Sequence, residues 1–283
     1  MLVEARLQKH AAACIEIEER RATTKQADST THEFFDALLE GDSDLAAQKF
    51  RDVYALSKTV SSKQQTCRMV CLFDATGSMG ALWESAKNDI KSMLQRITEI
   101  GGNNFHMMFA AYRDYTEHNG KALYQSSGWS SDPSFLQDFV DSQVCGSGGD
   151  ADEAVEYALA QAYEQHTSAA PLTRVLLIAD APPHKEKCGE RLRRHDHVLT
   201  TDYMLECERF SDAGIPVHTF WINGGHTSVQ CKETFGEIAA KTGGACCELS
   251  ADTLIHHVCE NALEDIGGHE LVAEYKRRYN TGS

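Results

Sequence analysis

The run FDATGSMG, residues 73–80, sets a carboxylate and two hydroxyls at alternate positions: Asp74, Thr76 and Ser78. In a loop folded around a point, alternate side chains reach one centre, and Gly77 and Gly80 let the backbone bend. Carboxylate and hydroxyl oxygens suit a hard divalent cation such as Mg²⁺, Mn²⁺ or Ca²⁺, whereas zinc prefers His and Cys. Two other stretches carry oxygens of the same kind. Asp180 follows the apolar run RVLLIA (174–179), and the glycine-rich GSGGDADEA (146–154) holds Ser147, Asp150 and Asp152. Asp150 reads either as a ligand, direct or through water, or as the cap of a helix beginning near Ala151, with Ser147 then supplying the oxygen. No Gly-Lys-Ser/Thr follows the first strand, which argues against a phosphate-binding loop.

Residues that meet at an ion need elements to aim them. From about residue 67 the chain alternates short apolar runs with amphipathic ones. MVCLF (69–73), FHMMFAAY (105–112), RVLLIA, IPVHTFWI (215–222) and ACCEL (245–249) read as strands. Their continuous apolar character fits strands covered on both faces. Between them, Trp83, Ala86, Ile90, Met93, Leu94 and Ile97 recur at helical spacing, and Gly101-Gly102 stops that helix. SFLQDFV, EAVEYALAQAYEQH, HVLTTDYMLECERFSDAG, TFGEIAAKTGG and DTLIHHVCENALEDI read as further helices. Asn119-Gly120 signals a hairpin turn before ALYQSSGW. The pattern predicts an α/β fold: a doubly wound, mainly parallel sheet with helices on both faces. In such sheets ligands gather beyond the carboxyl ends of strands, where Asp74 and Asp180 fall.

Residues 1–64 have a different texture, with Leu7, Ala11, Cys14 and Ile15, then Phe34, Phe35, Leu38 and Leu39, at helical spacing. They are expected to form a helical N-terminal extension, and residues 65–283 the α/β domain. The net charge is −15, from 27 Lys and Arg against 42 Asp and Glu. That balance opposes a nucleic-acid partner, because phosphate backbones need clustered cations. No segment approaches the ~20 apolar residues of a membrane span, and the first residues lack the apolar stretch of a signal peptide. The ten cysteines contain no Cys-x-x-Cys pair. Together with the lack of an Asn-x-Ser/Thr acceptor, this predicts reduced thiols and a cytoplasmic protein.

Other groups are read as surface features. His184, His195 and His197 with Cys188 fall in a stretch rich in Lys and Arg, expected to be an exposed loop rather than a metal site. Asp114 reads as a solvated turn carboxylate. His256 and His257 are adjacent on a helix and point to different faces, so they do not make a pair.

Four blocks in order carry a family resemblance. FDATGSMG resembles the metal motif of von Willebrand factor type A domains, in the DxTGSM form found beside some alpha-kinase domains. GGDADEAVEYAL, IADAPPH and FGEIAAKTGGACCEL resemble the family's later blocks, and FAAYRDY a run that accompanies the DxTGSM form. The likeness spans about residues 67–266. It implies a metal-ion-dependent adhesion site formed by Asp74, Thr76, Ser78, Asp150 and Asp180, with Mg²⁺ as the first choice of ion. It further implies a non-enzymatic protein-binding module whose partner completes the metal shell with an Asp or Glu. A second reading is a scaffold subunit of a larger complex with a structural or vestigial ion. A third is a regulatory part linked to an alpha-kinase-type enzyme.

Overall fold

The computed structural model describes residues 66–102, 104–115, 123–146, 151–167, 169–184, 201–223 and 228–279, with residues 33, 36, 45, 48 and 49. The chain divides into two compact units, Met1–Gln65 and Thr66–Ser283. In the first unit the five described residues are helical; the rest of the expected extension lies outside the described residues.

In the second unit the described strands are β1 (Cys67–Asp74), β2 (Phe105–Tyr112), β3 (Tyr124–Ser126), β4 (Arg174–Ala179), β5 (Val217–Trp221) and β6 (Cys246–Glu248). The described helices are α1 (Gly80–Gly101), α2 (Pro133–Ser142), α3 (Val155–Tyr163), α4 (Tyr203–Asp212), α5 (Ser228–Thr242) and α6 (Ala251–Tyr279). The strands form one sheet in the order β3-β2-β1-β4-β5-β6. β3 runs antiparallel to β2, and the other neighbouring pairs are parallel. This is the doubly wound α/β architecture, with a single antiparallel edge.

The period-2 geometry of β1 divides its side chains between two cores. Met69, Cys71 and Phe73 face a core built from α1, α2 and α6. Val70 and Leu72 face a second core built from α3, α4 and α5. β2 splits likewise, with Phe105, Met107 and Phe109 on the first side and Met108 and Ala110 on the second. Trp83, Ala86, Ile90, Met93, Leu94 and Ile97 of α1 are all buried in the first core. Burying these faces supplies the main stabilisation, at about 25 cal/mol per Å² of apolar surface.

Three helices differ most in extent from the sequence reading. The helix expected over 197–214 starts, among the described residues, only at Tyr203. Asp202 stands in extended conformation and its side chain accepts the Leu205 N–H, so a cap ends what periodicity alone would continue. α5 begins at Ser228, ahead of the expected Thr234. α6 runs on to Tyr279 through a kink at Gly267 and Gly268, the latter at φ 62°. Beyond the kink the chain turns back, and the Tyr275 hydroxyl lies 2.8 Å from His256 Nδ1. The Asn119-Gly120 turn lies outside the described residues, although β2 and β3 pair as the two arms of a hairpin.

Candidate metal centre

The order of the sheet reverses at β1. β2 lies to one side of it, while β4 and β5 lie to the other. Helices leave a crevice at such a point, beyond the carboxyl ends of the two central strands. Asp74 is the last residue of β1, and Asp180 follows the last residue of β4.

The loop after β1 folds by its own hydrogen bonds. Asp74 Oδ1 accepts the Thr76 N–H at 2.7 Å, a turn that Asp side chains form readily. Gly77–Met79 then makes one 3₁₀ turn into α1. The Thr76 and Ser78 hydroxyls lie 3.2 Å apart, and Ser78 donates to Asp180 Oδ1 at 3.0 Å. Four of the five residues expected at the site are therefore brought together. Asp74 and Thr76 are fully buried, while Ser78 is exposed, so the cluster opens towards solvent on the Ser78 side. Asp150, and Ser147 as its alternative, lie outside the described residues.

Asp74 Oδ2 is buried and has no hydrogen-bond partner among the described residues. A buried acceptor left in that state costs about 1–3 kcal/mol. Burial, reinforced by the Asp180 charge, pushes the Asp74 carboxyl well above the usual carboxylate range, and Arg113 offsets this in part. Burial raises Asp180 as well, against the pull of the Ser78 hydroxyl. A divalent cation would satisfy the orphaned oxygen and hold both groups ionised, so the donor set fits a hard ion. Asp74, Thr76, Ser78 and Asp180 are the residues that would hold it. Among the described residues, no group of three or more His, Cys, Asp or Glu side chains is spaced as a ligand set. Here two of the four donors are hydroxyls, which such a group does not include.

One carboxylate beside the cluster was missed by the sequence reading. Glu153, in the glycine-rich segment, is 3% exposed, and its Oε2 is likewise buried without a partner. Burial, then the charges of Asp74 and Asp114, push its carboxyl up strongly, while the Thr76 hydroxyl favours the charged form. No local signal separates Glu153 from an ordinary helix-start acid; only tertiary burial does.

Two surface assignments are overturned next to the cluster. Asp114 and His184 are both buried, and His184 Nε2 lies 2.9 Å from Asp114 Oδ1. The His184 N–H donates to Glu156 Oε2 at 3.3 Å, and the Tyr115 hydroxyl donates to Glu156 Oε1 at 2.8 Å. This network ties the loops after β2 and β4 to α3. A bridge between Glu153 and Pro183 holds the turn after Asp180 in place, so the Pro-Pro segment packs inward and takes His184 with it. His195, His197 and Cys188 lie outside the described residues. His257 pairs with a partner that sequence did not suggest, lying 2.9 Å from His218 of β5.

The fold and this rim define a doubly wound α/β domain with an oxygen-lined crevice at its switch point. In fold it is similar to the pilus adhesin SpaC from Lactobacillus rhamnosus GG. In the open conformation 72% of the chain matches 30% of the adhesin chain, at TM-score 0.53 and 15% identity. A second crystal structure of the same adhesin gives TM-score 0.53 and 16% identity over 31% of that chain. Over 137 residues, 48% of its length, the chain is 29% identical to an ariadne-like RING finger protein of Acanthamoeba polyphaga mimivirus, and it covers 13% of that protein. The chain thus spans less than a third of the adhesin and a smaller part of the viral relative. No protein-family model matches it. Among the described residues no helix is long and apolar enough to cross a membrane.

Proposed function

We propose that the chain is a protein-binding module of the von Willebrand factor A kind, engaging its partner through a divalent cation held at the β1–β4 rim. Mg²⁺ is the first candidate, with Mn²⁺ and Ca²⁺ next, since the donors are oxygens. Asp74, Thr76, Ser78 and Asp180 would hold the ion. The partner would fill the position open on the solvent side with an Asp or Glu carboxylate. We assign the chain no catalysis of its own. The observation that carries this reading is the buried, partnerless Asp74 Oδ2 beside the Ser78–Asp180 hydrogen bond. The similarity in fold to a pilus adhesin agrees with a binding role.

The test is a surface-binding assay of the full chain against immobilised Asp- and Glu-containing peptides. Retention is expected in Mg²⁺ and lost both in EDTA and on Asp74→Ala. Retention that survives both treatments ends the reading.

A second reading, a scaffold subunit with a structural ion, is favoured by the separate compact unit Met1–Gln65. It predicts that deleting residues 1–64 abolishes assembly while Asp74→Ala leaves it intact, which size-exclusion chromatography of the cell complex would show.

A further inference from the structure

We propose that Glu153 is the third carboxylate of the ion site, held in the outer shell of the cation, where it orients Thr76 and a bridging water. The inference rests on the ion-site reading above and deepens it.

The Glu153 N–H donates to Pro182 O at 3.0 Å, and Glu153 bridges Pro183. The next residue, Ala154, donates its N–H to Arg113 O at 3.3 Å. Glu153 is thus pinned between the turn that follows Asp180 and the loop that follows β2. Its side chain is 3% exposed, so it is enclosed beside the two loops that carry Asp180 and Arg113. Among the described residues its Oε2 has no hydrogen-bond partner, and neither does Asp74 Oδ2.

Two orphaned carboxylate oxygens in one buried cluster are hard to explain by packing. Burying a charge without pairing it is strongly unfavourable, and each such oxygen accepts a cation or a cation-bound water readily. The carboxylates are not spaced as three direct ligands. That places Glu153 behind the inner donors, where a carboxylate fixes a ligating hydroxyl and a water in orientation. It also sets the charge of the site. Three carboxylates around a divalent ion leave a net negative charge that strengthens cation retention, with the buried Arg113 as a nearby counterweight.

Calorimetric titration of the EDTA-stripped full chain with MnCl₂ tests this, with thermal melts in EDTA reporting the fold of each variant. Wild type is expected to bind the ion, Asp74→Ala to lose it, and Glu153→Gln to weaken it about 10- to 100-fold. Glu153→Asp, which keeps the charge, should recover part of the loss. If Glu153→Gln does not fold, Glu153→Asp alone decides, with affinity below wild type expected and wild-type affinity overturning the assignment. If Glu153→Gln folds and binds Mn²⁺ as wild type does while Asp74→Ala does not bind, the role of Glu153 is refuted and the ion site stands. If wild type takes up no Mn²⁺, or Asp74→Ala binds it unchanged, the ion-site reading itself fails and takes this inference with it.

Discussion

The Ser78 hydroxyl donates to the Asp180 carboxylate at 3.0 Å across 102 positions of sequence. This contact joins the loop after β1 to the loop after β4, and the rim has its present shape only while these two loops stay together. Asp74 lies beneath it with one oxygen satisfied by the Thr76 N–H and the other by nothing among the described residues.

That imbalance predicts opposite effects for one substitution. Asp74→Asn removes a buried charge that Asp180 repels, so without metal the variant should be more stable than wild type by about 1 kcal/mol. With Mg²⁺ the order should invert. At about a hundred times Kd the ion adds about 2.7 kcal/mol to wild type and nothing to the variant. Paired thermal melts in EDTA and in Mg²⁺ decide it; a variant that still gains from Mg²⁺ rules out Asp74 as a ligand.

Glu156 gives the pH dependence. Burial lifts its carboxyl from 4.5 to about 7, against the opposing effects of His184 and the Tyr115 hydroxyl. The folded state therefore holds the proton more tightly than the unfolded chain. The resulting stability is complete below about pH 4.5 and is lost as pH rises through about 7. At about 1.4 kcal/mol per pH unit the difference is about 3 kcal/mol. The melting midpoint in EDTA should fall between pH 5 and pH 8, and Glu156→Gln should flatten that fall. An unchanged slope in the variant would remove Glu156 as a contributor.

Arg174, at the start of β4, anchors the first segment of α6. Its Nε donates to Asp265 Oδ2 at 2.8 Å, and its terminal nitrogens reach Asp265 Oδ1 and Asn261 Oδ1. The group is largely buried, so Arg174→Met should cost about 3 kcal/mol by leaving Asp265 without its partner. Arg174→Met combined with Asp265→Leu should recover most of this. Urea denaturation of the two single variants and the double variant measures the coupling, and additive losses would show that the pair is not a unit.

Gly244 precedes β6 at a point of backbone contact. A Cβ there would lie 2.0 Å from the Val217 carbonyl oxygen, an atom of the neighbouring strand that cannot swing aside. Gly244→Ala is expected to destabilise the domain by about 3 kcal/mol. Gly236→Ala, which lies inside α5 and meets no atom within 4 Å, should stabilise the helix by about 0.5–1 kcal/mol. Equal melting midpoints for the two variants would contradict the packing at β6.

The regular elements were largely legible because their signals are local. β2 and β4 occupy the residues that their apolar runs mark, since parallel strands covered on both faces leave no polar alternation to blur their ends. The buried face of α1 follows from side-chain spacing alone. The start of α4 did not, because the Asp202 cap competes with a periodicity that continues upstream. The return of the chain after Gly267-Gly268 was missed for a related reason. The apolar periodicity marks the helix only as far as Ile266, whereas Tyr275 finds His256 and Arg96 only after the turn has been made.

By itself, the sequence determined the chemistry on offer: oxygen donors at Asp74, Thr76 and Ser78 with a further carboxylate at Asp180, and the alternating elements that carry them. Residue type and short-range spacing suffice for that. The tertiary structure alone decided that β4 lies beside β1, that Asp180 therefore meets Ser78, and that Glu153, Asp114 and His184 are buried around the same rim. Strand order depends on how two cores fill at once on opposite faces of the sheet, and burial of a polar side chain depends on which loops close over it. Both are long-range properties of packing, with no trace in the residues on either side.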